Sequence, residues 1–211
     1  MQTARPTLLL ILLTVPFTAY ADGFVADPLP ADYPIPANSL VIDYEGTIFE
    51  VSEAPEYTVG DSIAGRLLVD LSAVVGADSG PNTRRYSSID ASEFVTGFWI
   101  RGGDGEDGVS VANELLREGD DRPVDRFSVS DEYIITNGSG DSAMTFGLNA
   151  TLYDFLGNLD IDQSFEVSSL DADQPHEDVS GFIRFSNFGP FPLVKFALDR
   201  FSVKPGRCFA P

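Results

Sequence analysis

From residue 39 onward, apolar and polar positions alternate along much of the chain with the two-residue period of half-buried strands. The stretch from Leu40 to Leu71 organises the rest. Ile42, Tyr44 and Ile48 share one parity, with Gly46 between them, and Asp43, Glu45 and Thr47 share the other. Phe49 and Val51 then carry the apolar character on the opposite parity, so a bulge or an inter-sheet crossing is predicted near Ile48. In the second strand, Ile63, Leu67, Val69 and Leu71 face one way, while Ala64, Arg66, Asp70 and Ser72 mostly face the other. Pro55 and Gly60-Asp61 supply the turn chemistry between the two strands. Strands of this length cannot bury their own faces, so the pair requires further sheet to pack against.

Gly76 to Ser88, with its Gly80-Pro81-Asn82 breaker, reads as a loop. Residues 94–101 read as a strand apolar on both faces, with Phe94, Phe98 and Ile100 opposite Val95, Trp99 and Arg101. Val111, Leu115 and Leu116 have helical spacing, which predicts a short helix near 110–118. Residues 127–135 form the next strand, and Asn137-Gly138 marks a hairpin. Met144, Phe146, Leu148, Ala150 and Leu152 then give the cleanest alternation in the chain. Strands over 165–170, 181–188 and 193–203 close the domain, the last with a parity slip between Leu198 and Phe201. About eight strands without alternating helices predict an all-β fold, an antiparallel β-sandwich of jelly-roll type.

The ends of the chain have different chemistry. Arg5, the apolar run Leu8 to Val15 and Ala19-Tyr20-Ala21 have the layout of a signal peptide over 1–21. An exported protein, periplasmic or extracellular, is expected, with no integral membrane segment once the leader is removed. Residues 22–38 carry Pro28, Pro30, Pro34 and Pro36, an extended Pro-rich lead-in to a β domain over 39–205. Residues 206–211 read as a loose tail holding Cys208, the single cysteine, which is either incidental or a link between chains.

With 33 acidic and 13 basic residues among 211, the formal charge is −20. That disfavours nucleic acid and anionic membrane surfaces as partners. An apolar content of 43% is enough for a core. Gly102 to Ser110, GGDGEDGVS, fits the calcium-repeat nonapeptide letter for letter, making Asp104, Glu106 and Asp107 candidate calcium ligands. It occurs once, whereas such sites form between successive repeats, and a Gly-Asp-rich loop also occurs for steric reasons alone. Trp99, Tyr86 and Tyr153 are candidates for an aromatic ligand platform, with core filling the alternative for Trp99. His176 is the only histidine and no nucleophile elbow accompanies it, so no catalytic residue is assigned.

The residues Gly46, Thr47, Val51, then Val59, Gly60, Asp61, Gly65 and Asp70 follow a hairpin pattern. It resembles the opening of exported bacterial β-sandwich proteins that often carry a PEP-CTERM sorting tail. No Pro-Glu-Pro, terminal membrane helix or basic end accompanies it here. The resemblance implies an envelope or extracellular-matrix setting and carries over no catalytic residue. The expected function is non-enzymatic binding of envelope or extracellular polysaccharide or protein. The alternatives are a carboxylate-based, polysaccharide-active jelly-roll enzyme and a structural matrix protein.

Overall fold

The structure, a computed structural model, describes residues 35–54, 57–89, 94–96, 107–116, 122–137, 140–173, 177–186 and 192–206. Residues 1–34, which hold the leader-like segment and most of the Pro-rich stretch, lie outside the described residues, as do His176 and Cys208. The strands are β1 (Ser39–Ser52), β2 (Ser62–Asp70), β3 (Val74–Gly80), β4 (Thr83–Ser88), β5 (Val95–Thr96), β6 (Gly108–Leu115), β7 (Val124–Asn137), β8 (Gly140–Leu152), β9 (Phe165–Val167), β10 (Asp178–Ser186) and β11 (Leu193–Pro205). A 3-10 turn covers Ser169–Asp171.

Every pairing is antiparallel, and ten strands run in the order β3-β4-β6-β7-β8-β10-β11-β1-β2-β5, with β9 added against β11. The chain is all-β, as its alternation predicts. It differs from the expected jelly-roll sandwich: among the described residues, eleven strands join in one curled, hydrogen-bonded sheet rather than about eight in two sheets.

The β1–β2 hairpin is in register from Ser39↔Asp70 to Thr47↔Ser62. Both predicted parity slips are bulges in the β1–β11 ladder. Phe49 is the extra residue between Ile48↔Phe196 and Glu50↔Lys195, and Asp199 is the extra residue between Glu45↔Arg200 and Gly46↔Leu198. On β8, Met144, Phe146, Leu148, Ala150 and Leu152 are all buried, as their spacing predicts.

Two expectations fail. Residues 74–88 are the β3–β4 hairpin and not a loop. Its side chains are mostly exposed, so no apolar alternation announces it, and Gly80-Pro81-Asn82 is merely its turn. The predicted helix near 110–118 is strand β6 through Leu115. Val109 and Val111 face the core with period two, and a bulge between Ala112 and Leu115 then breaks the alternation, with Glu114 at φ 51°. That break imitates helical spacing, but Leu116 is 76% exposed and anchors nothing.

The concave face holds two aromatic clusters. Tyr44, Phe146 and Phe196 lie with ring centroids 5.3–6.3 Å apart. Phe127, Phe165 and Phe201 form the second at 5.2–6.2 Å. Gly65 faces Tyr44 across the β1–β2 ladder, and a Cβ there would sit 2.7 Å from the ring, so the aromatic covers the glycine.

A three-residue link joins β2, next to one end of the sheet, to β3 at the other. Asp107, immediately before β6, ties β5 to the start of β6. Its Oδ2 accepts the N–H groups of Phe94 and Val95, both at 2.7 Å, where β5 would otherwise present an unpaired edge. Asp131 on β7 also faces the Asp107 carboxyl. Burial pushes the Asp107 carboxyl above its ordinary range, against the lowering effect of the two N–H bonds and of Asp131.

On the outer face, Asp43 receives hydrogen bonds from Arg66 on β2 and from Lys204 on β11, the latter at 2.7 Å. Burial works to raise its carboxyl, but the two cations prevail and hold it below the ordinary value.

Two predictions follow from these acids. Asp107→Ala leaves two backbone donors without their acceptor and is expected to cost about 2–6 kcal/mol, from ~1–3 per buried unsatisfied group. Asp107→Asn keeps an acceptor and is expected to cost clearly less; the urea midpoints of the two variants check this. For Asp43, a lowered folded value means that its stabilisation is whole above the unfolded-state pKa and is lost as pH falls through the folded one. Asp43→Asn is therefore expected to flatten the acid limb of a melting-temperature profile and to lower stability at neutral pH.

Candidate functional site

The bulge at Phe49 turns an aromatic side chain out of the core. Phe49 is 51% exposed although its neighbour Ile48 is buried. Beside it, a row of residues crosses the outer face of the sheet in register: Glu50 on β1, Lys195 on β11, Phe182 on β10 and Gly147 on β8. A Cβ at Gly147 would overlap Cε1 and Cζ of Phe182, so the ring lies down against the sheet over the glycine. Lys195 pairs with Glu50 at 2.8 Å.

Phe49, Phe182, Lys195 and Leu193 line an open groove of about 690 Å³, and Asp178, Ser180 and Arg184 supply its polar rim. Asp178 is fixed by Ser180, which donates to its Oδ2 at 3.0 Å, and by Asn149 at 3.3 Å. The groove thus combines aromatic and aliphatic surface with hydrogen-bonding groups held in place by their neighbours, a combination suited to a ligand with an apolar face and a polar edge.

The aromatic candidates read from the sequence are distributed elsewhere. Trp99 lies outside the described residues. Tyr86 and Tyr153 line two different grooves, on either side of the loop after β8. Tyr86 is 7% exposed, and its hydroxyl donates to the carbonyl of Leu159 at 2.7 Å. Burial pushes the hydroxyl above its ordinary range. Beside it, Arg84 pairs with Asp78 at 3.0 Å and with Asp160 at 3.3 Å, pinning the loop to the β3–β4 hairpin. At Tyr153, the Arg122 guanidinium lies 3.9 Å from the ring centroid and covers one face.

The acids around Tyr153 are engaged locally. Glu166 pairs with Arg200, Asp171 closes a capping box on Ser168, and Glu177 accepts the N–H of Asp173.

Of the candidate calcium ligands, Asp104 and Glu106 lie outside the described residues, and Asp107 is the acceptor at the β5 edge. Among the described residues, no group of three or more His, Cys, Asp or Glu is placed to hold a metal ion. Asp125 has a use like that of Asp107: it is 5% exposed and accepts the N–H groups of Glu114 at 3.1 Å and Leu156 at 2.8 Å.

Phe49 and Phe182 were not singled out by the sequence pattern. The parity slip after Ile48 is the signal that could have found Phe49, because the extra residue of a bulge points away from the core its neighbours share. Phe182 carries no comparable signal. Its position on the outer face depends on a register with Gly147 that links strands remote in the chain.

Comparison with known protein families, with curated proteins and with solved structures finds no match.

If Phe182 lies flat because Gly147 leaves room for it, Gly147→Val should lift the ring while the buried face of β8 stays intact. The expected result is faster exchange of the β10 amides around Phe182 and a loss of ~1–3 kcal/mol from forced repacking, measured by hydrogen exchange and urea unfolding.

Proposed function

We propose that this chain is an exported, non-enzymatic binding module that holds envelope or extracellular polysaccharide on the outer face of its sheet. The observation that carries the reading is the Phe182 ring covering Gly147, in line with Phe49, which its bulge turns into solvent. A pyranose ring has an apolar C–H face and a rim of hydroxyl groups. The aromatic faces suit the first, and Asp178, Ser180, Arg184 and Lys195 suit the second.

The alternative of a polysaccharide-cleaving enzyme calls for two carboxyl groups flanking one bond. Among the described residues lining this groove, Asp178 is the single carboxylate. The acids Asp107 and Asp125 accept backbone N–H groups beneath the surface, a structural use of charge. The leader-like N-terminus and the net charge of −20 support an exported setting.

Affinity electrophoresis and a polysaccharide array test the reading. Phe182→Ala and Phe49→Ala should each weaken binding about 2- to 10-fold, the equivalent of ~0.5–1.5 kcal/mol for an aromatic contact. Tyr153→Ala should leave binding unchanged. Melting temperatures confirm that each variant is folded. Binding that survives the Phe182 and Phe49 truncations, or that is lost with Tyr153, would place the ligand elsewhere.

A further inference from the structure

The two ends of the sheet are finished differently. At the β5 end, the N–H groups of Phe94 and Val95 are taken up by Asp107. At the β3 end, the backbone is left open. The N–H of Ile89 donates to the carbonyl of Ala73 at 2.9 Å, which sets the alternation of the β3–β4 ladder. Val75 and Ala77 therefore direct their backbone groups toward β4, and Val74, Gly76 and Asp78 direct theirs outward. Among the described residues, β3 is terminal in the sheet and no hydrogen bond reaches those outward groups.

The edge also lacks the usual protection. β3 contains no Lys and no Pro. Its one charge, Asp78, is paired with Arg84 at 3.0 Å. Its bulge lies at the far end, between Asp78 and Gly80. Val75 is 50% exposed on a strand whose side chains are otherwise small or short.

We propose that β3 is the docking edge for a second copy of this chain. The copies pair antiparallel about a twofold axis at Gly76, joining their sheets. Three observations select that occupant. The outward residues are self-complementary: Gly76 meets Gly76, Val74 meets Asp78 of the second copy, and exposed Val75 meets Ala77. No like charges are opposed in this register. The hairpin is also the place where an acidic chain can approach itself, because residues 74–88 carry one acid, Asp78, and two bases, Arg84 and Arg85, a net charge of +1 against −20 for the whole chain. Finally, the chain's own Pro-rich lead-in is a poor competitor, since Pro28, Pro30, Pro34 and Pro36 have no N–H to give to a ladder.

Sedimentation equilibrium of the whole protein tests this, with reductant present so that Cys208 cannot link chains. The expected result is reversible dimerisation that slows hydrogen exchange at the Val74, Gly76 and Asp78 amides as concentration rises. The double variant V75K/A77K sets Lys against Lys across the axis and should weaken association by about tenfold or more, with an unchanged melting temperature. V75T/A77T keeps strand propensity without charge and should still dimerise. A monomer at every concentration would overturn the proposal. So would a dimer that withstands V75K/A77K, or one in which the β3 amides stay unprotected.

Discussion

A curled sheet must not leave the backbone donors of its short end strand buried and unmatched. Here one carboxylate oxygen meets that demand. Asp107 lies just before β6 and accepts both N–H groups at the start of β5, a strand of only two residues that pairs with β2 on its other side. The raised proton affinity of Asp107 reflects the burial that this position imposes. The aromatic clusters around Tyr44 and Phe127 occupy the concavity that the curl creates, so their packing depends on the two arms of the sheet staying in place.

The same chemistry recurs within the sheet. Asp125 joins the bulge at Glu114 to the loop at Leu156. Asp43 ties Arg66 and Lys204 across three strands of the outer face. An acidic composition therefore serves two ends. Most carboxylates are solvated and give the surface its charge, while a few act as acceptors where strand pairing alone cannot satisfy the backbone. The asymmetry between the sealed β5 edge and the open β3 edge is what gives the sheet one end able to add a strand.

What the sequence disclosed follows the same physics. Long strands with one wet face were legible: the alternation over Leu40–Leu71 and Met144–Leu152 placed the buried side chains correctly, and two parity slips located the bulges at Phe49 and Asp199. The β3–β4 hairpin was not legible, because an edge strand exposed on most of its length has no apolar period to read. β6 was misread because the break after Ala112 moves the next apolar residue out of phase. The cap on the β5 edge was least accessible, since it joins Asp107 to Phe94 and Val95 through a side chain and leaves no mark in hydrophobic pattern. The groove at Phe49 and Phe182 was half legible, through the slip at Phe49, while the register that sets Phe182 over Gly147 is a property of the assembled sheet.

The sealed edge and the open edge allow one direct comparison within a single molecule. Native-state hydrogen exchange on dilute protein at neutral pH would follow the Phe94 and Val95 amides beside those of Val74, Gly76 and Asp78. If the Asp107 carboxylate caps the β5 edge, Phe94 and Val95 should exchange as slowly as the amides of the central β1–β11 ladder, and the three β3 amides should exchange freely. Exchange at Phe94 and Val95 as fast as at β3 would contradict capping by Asp107.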